Sequence, residues 1–487
     1  MTETTTPTAS WLDRSSALLR SVGINTERGK PRKADAQAEP ERSTAERLKA
    51  TLRRGAEALS PRELRRLLAD MQAASASELS DVEGGRLAEQ LMQWYAAAKA
   101  PERQDFWLLM CEQFVPDVEK IRSARQKYEQ ALGTADAGAA ERQLRQTLAT
   151  PRTRLLQRFA VPAEGMRFLL DLRAELLPQL KGDKRLLALD AELEYLFSGW
   201  FDVAFLELKR LSWDSPASLL EKLIKYEAVH DIRSWSDLKN RLDSDRRCYG
   251  FFHPRLPTEP LIFVEVALVD KMSDSITPLL DESAADADLA RATTAIFYSI
   301  SNTQAGLRGV SFGDSLIKHV VDTLLQDFPK LRQFATLSPI PGFRSWLGKN
   351  SASVWEGMDK RRKEELAKAL GKPEATPADW LAAADAALTL PADTPVSRAL
   401  LHAAAQYLGR GLDSGRPLDA VARFHLGNGA RVERLNWAGD PSTKGVKQSF
   451  GMMVNYLYDL KRLDKHRALL AQGKIPLSSA IEALLKP

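Results

Sequence analysis

From Ser60 the chain repeats apolar residues at helical spacing. Ser60-Pro61-Arg62-Glu63 supplies an N-cap, a proline at the first helical position and a capping-box glutamate, and Leu64, Leu67, Leu68 and Met71 then mark one face. Similar amphipathic runs follow near 80–98, 101–113, 115–133, 138–148, 162–181 and 183–198, with no strand pattern among them. They predict an all-helical bundle over 45–198. Residues 1–44 are rich in Thr, Ser, Pro, Ala and charge, apart from an amphipathic stretch between Trp11 and Val22, and read as a flexible leader.

The period changes after Trp200. Leu206 and Leu208 alternate with Glu207 and Lys209, as in a half-buried strand, and a second domain is expected over 199–487. Ser215-Pro216 and Ser234 with Asp237 cap two helices. The run Leu261 to Val269, apolar on both faces except at Glu265, predicts a central covered strand. Further strands are predicted at 295–301, 333–338 and 431–437, helices at 314–327 and 443–460, and a tight turn at Asn428-Gly429. Overall this is an α+β protein: a helical bundle followed by a mixed α/β domain.

A chain of 487 residues with 44% apolar content has material for two cores. Its 69 Lys and Arg exceed its 64 Asp and Glu by only 5, and the basic clusters are interleaved with acids on helices. Such clusters read as solvated faces, not a nucleic-acid groove, and the slight positive balance suits an anionic ligand. The only cysteines, Cys111 and Cys248, argue against a disulfide framework and for a reducing compartment. With no basic-then-apolar leader and no run of 18 apolar residues, neither secretion nor membrane attachment is predicted, and the cytoplasm is expected.

Candidate chemistry concentrates between Ala295 and Leu347. Arg308, Gly309, Val310, Ser311, Phe312, Gly313 and Asp314 lie where an apolar strand ends and a helix begins. Unpaired amides and the positive end of the helix dipole favour a phosphate there, and glycine permits close approach. The same pattern suits a ligand-free strand-to-helix turn. In TLSPIPGF, Pro339 and Pro341 stiffen a strand exit and hold the Ser338 hydroxyl, either as a catalytic group or as a simple strand cap. None of six histidines pairs as His-x-x-x-His, so no metal site is expected. His425, between a helix end and the Asn428-Gly429 turn, is placed to reach a cleft. From the residues alone the domain reads as nucleotide- or CoA-binding.

The glycine turn resembles the pyrophosphate loop of the GNAT-type N-acetyltransferase fold, with Arg308 at its first position, Gly313 at its last, and Ser311 in place of the middle glycine. Longer blocks resemble malonyl-CoA decarboxylases: RRCYGFFHP from Arg246, EPLIFVEVAL from Glu259, TTAIFYSISNTQAGLRGVSFGDSLIK from Thr293, LSPIPGFRSWL from Leu337, FHLGNGA from Phe424 and SFGMMVNYLYDL from Ser449. The resemblance implies a helical domain used for oligomer contacts, dimeric or tetrameric, and a GNAT-like catalytic domain. It implies malonyl-CoA as substrate, Ser338 as proton acceptor, His425 as proton donor and Arg308 to Asp314 as the CoA loop. Ser299, Asn455, Tyr456 and Tyr458 fall in matching blocks as substrate contacts or supports of the site. Where this chain has Ser311 the family commonly has glutamate.

A malonyl thioester carries its own electron sink, so decarboxylation through a thioester enolate needs no cofactor. The rival readings are an acyl-CoA-dependent N-acetyltransferase and a helical scaffold with a CoA-sensing domain.

Overall fold

The computed structural model describes residues 42–284, 287–310, 312 and 315–486. Residues 1–41 of the expected leader, and Ser311, Gly313 and Asp314 of the glycine turn, lie outside them. Up to Trp200 the described chain is helical: Thr44–Lys49, Pro61–Ala74, Asp81–Ala97, Ala100–Gln113, Val118–Ala131, Ala137–Leu148, Pro151–Phe159, Gly165–Leu176 and Leu187–Trp200. Ser60 forms the expected capping box, its side chain accepting from Glu63 N while Glu63 accepts from Ser60 N.

The helix Pro151–Phe159 escapes the periodic reading. Its apolar stripe, Leu155, Leu156 and Phe159, is interrupted by Arg152 and Arg158, which are themselves buried. Arg152 Nε donates to Glu192 at 2.7 Å, and Arg158 pairs with Asp81. Charges that fold inward on partners mask a core face.

The second half is built on a mixed sheet of β1 (Glu207–Leu211), β2 (Arg246–His253), β3 (Leu256–Val269), β4 (Thr294–Asn302), β5 (Gln333–Thr336), β6 (Ser338–Pro339), β9 (Arg431–Asn436) and β10 (Met453–Leu457). A separate two-residue hairpin joins β7 (Leu412–Asp413) to β8 (Arg416–Pro417). The sheet order is β1-β2-β3-β4-β5-β10-β6, with β9 on β10. Among the named strands only β4 and β5 pair in parallel. Glu265, the charge within the apolar run Leu261 to Val269 of β3, is fully buried and accepts from Arg241 Nη1 at 3.1 Å.

The expected helix over 443–460 is corrected. It stops at Ser449, Phe450 and Gly451 take left-handed φ values of 54° and 78°, and Met453–Leu457 becomes β10. β10 is covered on both faces, so its sequence, apolar or aromatic apart from the buried Asn455, shows no period of two. β2 was hidden for the same reason, being buried along its whole length.

Candidate active site

The parallel pair β4 and β5 holds together only from Thr294↔Gln333 to Phe297↔Thr336. Beyond it, the chain at Ser338 pairs with Val454 of β10 instead, and β4 carries a bulge at Tyr298 where it faces β3. The strands therefore part. An apolar cleft of about 300 Å³ opens in the gap, walled by Phe297, Ile300, Val310 and Phe312, with Ser338 and His425 inside.

Ser338 is fixed by the sheet on one side and by Pro339 on the other. His425 comes from the last turn of the helix Ala420–Gly427, which Asp419 caps by accepting from Val421 N at 2.9 Å and Ala422 N at 3.0 Å. Asn428-Gly429 ends that helix in the expected turn, with Gly429 at φ 86°. Asp419 also accepts from Gly342 N at 3.4 Å, which links the helix to the end of the SPIPG segment.

Ser338 Oγ and His425 Nε2 are 3.2 Å apart, and both residues are buried. Ser338 Oγ donates to Thr336 Oγ1 at 2.8 Å, and the same oxygen accepts from Tyr456 N at 3.1 Å. On its other edge, His425 Nδ1 lies 2.7 Å from Tyr458 Oη, and its ring stacks on Tyr456 at 4.7 Å. Burial pushes the His425 pKa down to about 3 and raises the Tyr458 phenol well above its usual range, so both are neutral near pH 7. The Tyr458 hydroxyl has no other partner among the described residues, so its proton finds an acceptor when it donates to Nδ1. The imidazole proton then sits on Nε2, facing Ser338.

Asn455 lies one shell out. Its Nδ2 donates to Thr336 O at 2.7 Å, and its Oδ1 accepts from Asn436 Nδ2 at 2.9 Å. Ser299 is turned from the cleft and donates to the buried Glu227 at 2.7 Å. Arg308 and Gly309 are exposed on the turn, whereas Val310 and Phe312 point into the cleft.

Comparison with known proteins decides the family. Residues 204–487, more than half of the chain, match the family described as Malonyl-CoA decarboxylase C-terminal domain, and residues 114–201 match its N-terminal domain. The chain belongs to the malonyl-CoA decarboxylase family. Among curated malonyl-CoA decarboxylases, the mitochondrial protein of goose (Anser anser anser) is 39% identical over 64% of this chain and 65% of its own length. That of mouse (Mus musculus) is 35% identical over 77% of this chain and 80% of its own length. The crystal structure from Cupriavidus metallidurans is 44% identical, with a TM-score of 0.71 over 87% of this chain and 100% of that one. The structure from Agrobacterium vitis is 38% identical, with a TM-score of 0.75 over the same shares. Both family regions, N- and C-terminal, agree with the helical half preceding the mixed sheet. Among the described residues no helix is long and apolar enough to cross a membrane.

Three contributors to the cleft and its surroundings escaped the sequence reading. Thr336 had a local signal, since residues two apart on a strand share a face and Ser338 was already singled out. Glu227 and Arg173 had none. Arg173, from the helix Gly165–Leu176, is buried and donates to the carbonyls of Gly306 at 2.7 Å and Arg308 at 2.9 Å, which braces the turn from the helical half.

Proposed function

We propose that the protein decarboxylates malonyl-CoA to acetyl-CoA and carbon dioxide, using no metal or organic cofactor. The observation that carries this is the buried Ser338 and His425 pair inside an apolar cleft, in a chain of the malonyl-CoA decarboxylase family. A carboxylate set among Phe297, Ile300 and Val310 loses hydration, so this lining favours departure of neutral carbon dioxide and transfer of the negative charge from the carboxylate to the more delocalised thioester enolate. The electrons pass to the thioester oxygen as an enolate.

Ser338 hydrogen-bonds the carboxylate or the enolate oxygen, and His425 delivers a proton from Nε2 to the α-carbon. The turn from Arg308 to Asp314 receives the CoA pyrophosphate. Asn455, Tyr456 and Tyr458 hold the pair in place, and Ser299 acts from behind the strand through Glu227.

We assign the helical half to self-association as a dimer or tetramer, and no role is proposed with nucleic acid or a membrane. The cytoplasm is the proposed compartment, supported by two buried, unpaired cysteines. The test is incubation of the purified protein with malonyl-CoA and no acceptor. Equimolar acetyl-CoA and carbon dioxide support the reading; consumption of acetyl-CoA only when an amine is added would replace it with an N-acetyltransferase.

A further inference from the structure

His425 meets a second cavity through Tyr458. This cavity, about 210 Å³, lies between the helices Leu316–Asp327 and Leu463–Ala471. Its mouth carries the exposed Lys318, Asp322 and Asp464, and its floor carries the buried Tyr458 and Asn428. Asn428 Nδ2 donates to Phe424 O at 2.8 Å, but its Oδ1 is buried with no hydrogen-bond partner among the described residues. A buried amide oxygen on the floor of a polar cavity open to solvent is a place where water is held.

We propose that Tyr458 is a relay residue, through which water in this cavity supplies a proton to His425 Nδ1 as Nε2 gives one to the substrate. The inference rests on the decarboxylase reading above. Its physical basis is charge. Decarboxylation of a malonyl thioester consumes one proton per turnover, and the imidazole that donates it is neutral and enclosed by Tyr456, Tyr458 and Phe424. Loss of the Nε2 proton alone leaves an imidazolate in apolar surroundings, which is strongly disfavoured. Transfer from Tyr458 Oη across 2.7 Å prevents that, and a cavity water prevents the equally unfavourable phenolate.

The step balances. The bond between the α-carbon and the carboxylate breaks, carbon dioxide leaves, and the electron pair rests on the enolate. The α-carbon then takes the Nε2 proton, Nδ1 takes the phenol proton, and the phenol takes one from water that exchanges with solvent. After product leaves, Nε2 takes a proton from water in the open cleft while Nδ1 passes its proton to Tyr458 Oη, whose own proton goes back to the cavity water.

The test compares wild-type protein, Tyr458→Phe and Asn428→Leu under single-turnover conditions with saturating protein, in mixtures of light and heavy water. The phenylalanine keeps the ring and removes the relay; the leucine fills the cavity floor without touching His425, and carries the test should Tyr458→Phe not fold. The wild-type rate should curve against the deuterium fraction, because several protons move together. Either variant should react roughly a hundredfold more slowly with a linear dependence. Variants as fast as wild type, or slow but equally curved, overturn the relay alone. Wild-type protein that releases no carbon dioxide overturns the decarboxylase reading first, and the relay with it.

Discussion

Ser338 Oγ and His425 Nε2 meet at 3.2 Å although 87 residues separate them. One residue is set by strand pairing and the other by a capped helix, so the fold, not local sequence, makes the pair. If they act as one unit, Ser338→Ala and His425→Ala should each lower kcat by roughly two to four decades. The double variant should lose little more than the worse single one, since groups that act together are strongly non-additive. Steady-state kinetics with circular dichroism to verify folding decides it; near-normal turnover of either single variant removes its assigned role.

Thr336 offers a finer probe. Its hydroxyl accepts from both Ser338 Oγ and Tyr456 N, and no part of the residue reaches solvent. Thr336→Val keeps the shape and leaves a buried amide unpaired, at a cost of about 1–3 kcal/mol. It also frees the Ser338 hydroxyl to rotate. We expect a lower melting temperature together with a fall in kcat at nearly constant KM, and recovery of both in Thr336→Ser. Thr336→Ser as impaired as the valine variant would mean that packing, not the hydroxyl, matters there.

What the chain revealed of itself followed the range of the signals. Helical repeats such as Leu64, Leu67, Leu68 and Met71 are local, and so are caps at Ser60 and the Asn428-Gly429 turn; these appear in the structure where expected. β10 was misjudged because a strand covered on both faces has no alternation, and only its pairing with β5, β6 and β9 makes it a strand. Ser338 and His425 were singled out by stiffness and position, and their role came from family resemblance. Tyr458 was singled out with Tyr456 because both fall in a block resembling the family, but its bond to Nδ1 depends on β10 existing at all.

Burial of His425 also predicts a pH dependence of stability. Its pKa falls from 6.5 in the unfolded chain to about 3 in the folded protein, because desolvation penalises the imidazolium. Between these values the unfolded chain binds more protons than the folded one, so stability rises with pH across the window. The contribution is fully present above pH 6.5 and is lost as pH falls toward 3. Each unit of that fall removes up to about 1.4 kcal/mol for this one group. Denaturant titrations of wild type and His425→Gln from pH 7 to 4 should show a shallower decline in the variant. Parallel declines would place the acid sensitivity in other buried histidines such as His230, whose pKa burial lowers to about 4.

The bracing of the glycine turn by the helical half gives a last prediction. Arg173 is fixed by Asp190 at 2.8 Å and holds two carbonyls of the turn that walls the cleft. Next to them, a side chain at Gly306 would put Cβ 2.1 Å from Leu170 O, a backbone atom that cannot swing aside. The two halves of the protein therefore touch through backbone at this point, and only glycine allows it. Arg173→Ala leaves Asp190 without its main cation, and the buried Gly306 carbonyl and the part-buried Arg308 carbonyl without their donor, a loss of about 3 kcal/mol or more. Gly306→Ala removes no charged or hydrogen-bonding group and pushes the turn off the helix by steric contact. Both should raise KM for the CoA thioester, because both shift the wall bearing Val310 and Phe312, and Arg173→Ala should in addition lower the melting temperature. If KM is unchanged in Gly306→Ala, the position of the turn does not control binding, and the helical half braces the domain without shaping its site.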